Sequence, residues 1–95
     1  MYAVIRHYHF SPADGQKIDA SLREKFVPLL KALKGFIRYY WLDTGHGEGA
    51  SISVFKDKAG ADESIQIAAG FAKDHMVGMV IEKPEIIEGP VRAHD

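Results

Sequence analysis

The chain has no cysteine. That excludes a disulfide framework, a thiolate metal centre and a cysteine nucleophile. It also lacks any apolar run near the roughly 20 residues that span a bilayer, so no membrane helix is expected. Charge of one sign is missing too. Twelve Lys and Arg stand against 13 Asp and Glu, for a formal net charge of -1. The basic residues are scattered among acids, which removes the stripe expected of a nucleic-acid or membrane-surface binder. Low-complexity tracts, linkers and repeats at solenoid periods are likewise absent.

What remains is a globular composition, 46% hydrophobic and 26% charged over 95 residues. The whole span 1–95 reads as one domain. A chain this short hides only roughly 60–70% of the surface it exposes when unfolded, so a second copy is an early expectation on burial grounds alone. Arg6 and His7 follow Met1 too closely for the apolar region of a signal peptide. The expected location is the cytoplasm.

The stretch from Tyr2 to Phe10 is β-branched and aromatic and predicts a strand. Ser11-Pro12-Ala13-Asp14 predicts a helix start, with Ser as cap and Pro in the first turn. Ile18, Leu22, Phe26, Leu29, Leu30 and Leu33 then recur at steps of three and four, a single helical face. Pro28 predicts a kink or a new short helix, and Gly35 the end of the helix. Phe36 to Asp43 predicts a second strand, and Thr44 to Gly49 a turn. Ala50 to Lys56 predicts a third strand paired back as a hairpin. Asp57 can cap a second helix with Ala61, Ile65, Ala68, Ala72 and Met76 inward. Glu85 to Arg92 predicts a last strand, which Pro90 consigns to an edge or a bulge.

The order βαββαβ predicts an α+β, ferredoxin-like fold: a four-stranded antiparallel sheet with both helices on one face. The other face should then be polar. Yet neither parity of the second strand is polar: Ile37, Tyr39 and Trp41 lie on one, Phe36, Tyr40 and Leu42 around Arg38 on the other. The uncovered face therefore calls for a partner, most simply a second copy. Which parity faces the helices is left open by the pattern.

Two stretches, Gly35-Phe36-Ile37-Arg38-Tyr39-Tyr40-Trp41-Leu42-Asp43 and Ala50 to Ser64, give the chain its resemblance to the antibiotic-biosynthesis-monooxygenase-like group of dimeric α/β-barrel proteins. The resemblance runs from Tyr2 to Arg92. It implies a homodimer packed sheet against sheet. It also implies a range of activities: cofactor-independent oxidation of polycyclic aromatics, haem degradation, handling of small metabolites, or no assigned activity. Haem-degrading members use an Asn on the first strand, a Trp on the third and a His on the second helix. Here His75 fits the last position, but the first strand has no Asn and the third carries Phe55, so haem degradation is the weaker implication.

The candidate chemistry rests on few residues. His7 and His9 share a parity roughly 7 Å apart along the strand, as a proton shuttle, an anchor for an acidic ligand or rim residues. As metal ligands they lack a third partner, so no metal ion and no cofactor are expected. Tyr39 and Trp41 offer a hydroxyl and a stacking platform, or plain core packing. Arg38 could hold an oxyanion or pair at a dimer rim. His75, beside Asp74, is accounted for by the helix dipole or serves as a base. The resulting expectation is a homodimer that binds a small hydrophobic or aromatic metabolite. As an enzyme it would be a cofactor-independent monooxygenase with His7 or His75 as base, Arg38 or Tyr39 as oxyanion holder, and Trp41 and His9 against the substrate. The alternative is a non-catalytic dimeric binding or assembly module. A solid interior would favour the module and a cavity of a few hundred Å³ the ligand.

Overall fold

The computed structural model describes residues 1–95. Strand β1 (Tyr2–His9) leads into a continuous helical segment, α1, over residues 12–31. Strands β2 (Phe36–Gly45) and β3 (Glu48–Phe55) form a hairpin, helix α2 (Lys58–His75) follows, and β4 (Glu85–Pro90) closes the chain. All pairings are antiparallel, in the order β2-β3-β1-β4. The expected ferredoxin-like sheet is therefore present, with β4 at an edge, where Pro90 withdraws no ladder bond from an interior strand. No helix is long and apolar enough to cross a membrane.

Helix α1 breaks at Pro28 as expected, where a short α-helical stretch, Val27–Lys31, begins with the proline in its first turn. The middle of α1, Leu22–Phe26, is a π-turn in which the Val27 N–H donates to the Leu22 carbonyl. The widened turn lies just ahead of Pro28, which has no N–H to give and whose ring crowds the carbonyl four residues back. Ile18, Leu22, Phe26 and Leu30 still share one buried face. In α2 the Asp57 carboxylate caps the first turn, accepting from the Gly60 N–H at 3.1 Å. The buried face of α2 is Gly60, Ala61, Ser64, Ala68 and Phe71. Of the expected inward residues, Ala61, Ala68 and Met76 are buried and Ile65 and Ala72 pack against the core, while Phe71 joins them beside Phe26, with ring centroids 5.0 Å apart.

The hairpin is tighter than expected. Glu48 and Gly49 are already paired with β2, so the turn is His46 and Gly47, not the whole of Thr44 to Gly49. Both turn residues have positive φ, 59° for His46 and 78° for Gly47, a conformation that glycine and few other residues adopt readily. A Cβ at Gly47 would collide with the carbonyl oxygen of Phe10. The Phe10 N–H donates to the Gly47 carbonyl at 2.8 Å, which ties the turn to the end of β1. Residues 77–83 form a loop that touches the same place, through a bridge between Phe10 and Val80.

Parity is settled by burial and register. Val4, Arg6, Ser51, Ser53 and Phe55 are buried against the helices, and Tyr39 and Trp41 pair with Ser53 and Ser51 on that side. Ile5, His7, His9, Arg38, Tyr40, Leu42, Ile52 and Val54 take the other side. A bulge between Phe36 and Arg38 shifts the alternation, so Phe36 packs with Phe55 at 6.0 Å on the helix side.

Candidate functional site

The helix-facing side of the sheet carries polar groups where an apolar core is usual. Arg6, in the middle of β1, is only 2% exposed. Neither of its terminal nitrogens, Nη1 or Nη2, has a hydrogen-bond partner, and the buried hydroxyls of Ser51 and Ser53 have none either. Ser51 is the direct cross-strand neighbour of Arg6. An unpaired buried cation is expensive, by several kcal/mol even after relaxation. Burial pushes the Arg6 pKa down from its usual value, and the neighbouring Tyr8 and Tyr39 work against that shift.

Above Arg6 lies an apolar cavity of about 330 Å³. Tyr8, Ile65, Ala68 and Ala72 form its walls, with Val80, Lys83 and Ile86 at its margin. Small residues on α2 leave this space where longer side chains would close it. A second cavity, about 400 Å³, opens between α1 and β2 and is lined by Asp19, Leu22, Arg23, Tyr39 and Trp41 among others. Tyr8, Tyr39 and Trp41 stand between the two with Phe26 and Phe71, in a region too tight to hold more than one water. Burial raises the phenol pKa of Tyr8, and that of Tyr39 well above the ordinary tyrosine value, so both rings present neutral hydroxyls.

Trp41 is held in place. Its Nε1 donates to Asp19 Oδ1 at 2.9 Å, and its ring meets Tyr8 edge-on at 5.8 Å and Phe10 at 6.1 Å. Gly49, diagonal to Trp41 across the hairpin, makes this position available. A Cβ at Gly49 would come within 2.7 Å of both the Trp41 ring and the Leu42 carbonyl oxygen.

Of the residues singled out in the sequence, Tyr39 and Trp41 therefore meet at this site. His75 is on the helix side, exposed at the end of α2, with its ring 4.7 Å from Phe71. His7, His9 and Arg38 project from the opposite face of the sheet. Alternation puts them there: His7 and Arg38 occupy the register of Ala50 and Val54, while Arg6 and Tyr39 occupy that of Ser51 and Ser53. Sequence reasoning passed over Arg6, Tyr8, Ser51 and Ser53. The signal for Arg6 was available, because it interrupts the parity Tyr2, Val4, Tyr8, Phe10, which is otherwise wholly apolar or aromatic.

No family profile matches the chain, and no curated protein matches it. Solved structures do. A protein of unknown function from Nitrosomonas europaea superposes with a TM-score of 0.83 at 20% identity, over 99% of this chain and 91% of that one. A monooxygenase from the gene ActVA-Orf6 of Streptomyces coelicolor, in complex with nanaomycin D, gives 0.80 at 9% identity, over 99% and 89%. SnoaB, a cofactor-independent oxygenase from Streptomyces nogalater, gives 0.71 at 13% identity, over 98% and 94%. This chain has the antibiotic-biosynthesis-monooxygenase-like fold. At these identities the likeness is one of architecture, and the ABM-like fold hosts its chemistry in side chains that differ from chain to chain.

Proposed function

We propose that the protein is a homodimer that binds a small hydrophobic or aromatic metabolite bearing an acidic oxygen, in the space between sheet and helices, and oxidises it with dioxygen without a cofactor. One observation carries the reading: the unpaired guanidinium of buried Arg6 at the floor of an apolar cavity. A phenolate, enolate or carboxylate oxygen placed there would receive charge-assisted hydrogen bonds from Arg6, with the Ser51 hydroxyl alongside. Tyr8, which lines the same cavity, supplies flat apolar surface for a ring, while Trp41 lines the neighbouring cavity between α1 and β2. We assign the oxyanion-holding role to Arg6, beside which Tyr39 lies; His75, exposed at the end of α2, lines neither cavity, so the reading gives it no role.

The chemistry balances without help from a bound redox group. An activated ring CH₂ loses its two hydrogens and becomes a carbonyl. One atom of dioxygen becomes the carbonyl oxygen and the other leaves as water, so the substrate supplies all four electrons. The protein's part is to lower the cost of the carbanion that first meets dioxygen, by holding its oxygen against a positive charge in a dry site. The cavities of about 330 and 400 Å³ favour this reading over a non-catalytic module, which needs no interior space. The homodimer rests on the open sheet face, where Tyr40 is 50%, Leu42 48% and Ile87 71% exposed. The cytoplasmic assignment stays with the proposal and rests on the same composition as before.

The test is a calorimetric screen of hydroxylated polycyclic aromatics against the wild-type protein and Arg6→Met, with oxygen uptake recorded alongside. Acidic phenols should lose about 10–100-fold in affinity on Arg6→Met, the worth of a charge-assisted hydrogen bond. The parent hydrocarbons should bind both proteins equally. Equal loss for both classes would remove Arg6 from the reading.

A further inference from the structure

The two histidines on the open face acquire from the fold the third partner that their sequence spacing lacked. Glu48 begins β3 directly across from His9. Its Oε1 lies 3.2 Å from His7 Nε2 and 3.9 Å from His9 Nδ1. One donor atom from each of the three side chains falls within a span of 4.8 Å. Zinc bonds of 2.0–2.2 Å arranged tetrahedrally set donors about 3.3–3.5 Å apart. Two of the three edges are already close to that, and the histidine pair closes by small rotations of half-exposed side chains.

We propose that His7, His9 and Glu48 form a binding site for one divalent cation of borderline softness, zinc or a neighbouring first-row metal. Two imidazoles and one carboxylate select that class over magnesium or calcium, which take oxygen donors. With both histidines neutral, the carboxylate leaves the cluster with one negative charge to attract a dication. The backbone beneath is rigid: β1 is paired on both sides, and the Gly47 turn is pinned to the end of β1, which fixes Glu48 opposite His9. An outer partner is also in place. Glu85, opposite His7 on β4, puts Oε1 4.0 Å from His7 Nδ1, the nitrogen turned away from Glu48. A carboxylate there would accept the Nδ1 proton and hold Nε2 as the metal-binding nitrogen. The three ligands come from one side, so the remaining positions point away from the sheet and away from the cavity over Arg6. The site therefore stands or falls independently of the ligand reading. Water, or a group from a second copy packed on this face, would complete it.

The test uses tag-free, metal-stripped protein titrated with cobalt(II), followed by the visible absorption of the ion, and with zinc by calorimetry. The expected result is one saturable site per chain. His9→Gln and Glu48→Gln should each weaken it by about 100-fold or more, and Glu85→Gln by about 10-fold. His94→Ala, at the far terminus, should leave it unchanged. Absence of saturable binding would overturn the proposal. So would affinity that persists in both Glu48→Gln and His9→Gln, or that falls equally in His94→Ala. Circular dichroism of each variant checks that the sheet is intact, and Glu48→Gln, a near-isosteric change on a half-exposed side chain, keeps the test decisive should a histidine variant unfold.

Discussion

The two faces of the sheet depart from the usual arrangement in opposite ways. The face covered by helices holds a guanidinium and two hydroxyls without partners, amid aromatic rings. The uncovered face shows Ile5, Ile37, Tyr40, Leu42 and Ile87 to solvent. An antiparallel sheet with one wet side ordinarily alternates the other way. The difference teaches that each face is incomplete in its own manner. The inner one leaves polar atoms without partners, and the outer one leaves apolar side chains without cover.

The sharpest way to break the contrast is a charge on the outer face. Leu42→Asp would put an unpaired carboxylate into each half of a sheet-on-sheet dimer. The expected penalty is about 3–5 kcal/mol, so sedimentation should show single chains at concentrations where the parent is paired. A parent that is itself a single chain at micromolar concentration would end the dimer reading. On the inner face the sign reverses. Arg6→Met replaces a lone buried cation with a side chain of similar reach, and stability should rise by about 1–4 kcal/mol in the absence of ligand, read as a higher denaturation midpoint. A loss of stability instead would mean that Arg6 is a structural member of the core.

Smaller effects test how the aromatic wall is built. Gly49→Ala should destabilise by about 1–3 kcal/mol, because the new methyl group must displace either the Trp41 ring or a backbone carbonyl. The tryptophan emission should shift with it. Trp41→Phe removes the hydrogen bond to Asp19 and should lower stability by about 1–2 kcal/mol. The mildest effect is in alkali. Tyr8 and Tyr39 have pKa values raised in the folded chain, so the folded state keeps protons that the unfolded state gives up above pH 10. Their contribution is whole below pH 10 and is lost as pH climbs through the raised values. Denaturation midpoints measured from pH 8 upward should fall above pH 10, and less steeply in Tyr39→Phe.

Much of this architecture is legible in the sequence. Pro12, Asp57 and the alternation in Ala50 to Phe55 marked their elements because each signal is local, although the Ser11 side chain makes no capping bond and the helix stops at Lys31, ahead of Gly35. The incompatibility of two apolar parities with a one-sided helix layer exposed the outer face as unusual. Legibility ended where distant segments meet. Nothing within β1 tells that Glu48 will stand beside His9, since the Gly47 turn and its bond to Phe10 decide it. Nor could Tyr39 and Trp41 be assigned inward until the bulge at Phe36 had shifted the count. Arg6 was visible but not interpretable, because its meaning depends on which side of β1 is covered.

The sheet has two free margins. One belongs to β2, which is broken out of register near both of its ends, and the other to β4, short and finishing on Pro90. Neither offers a long, straight row of donors and acceptors for another strand to zip onto. Lateral growth into ribbons or fibrils is therefore obstructed on both flanks, and the proposed sheet-on-sheet pairing, which uses up the apolar face, would stop at two.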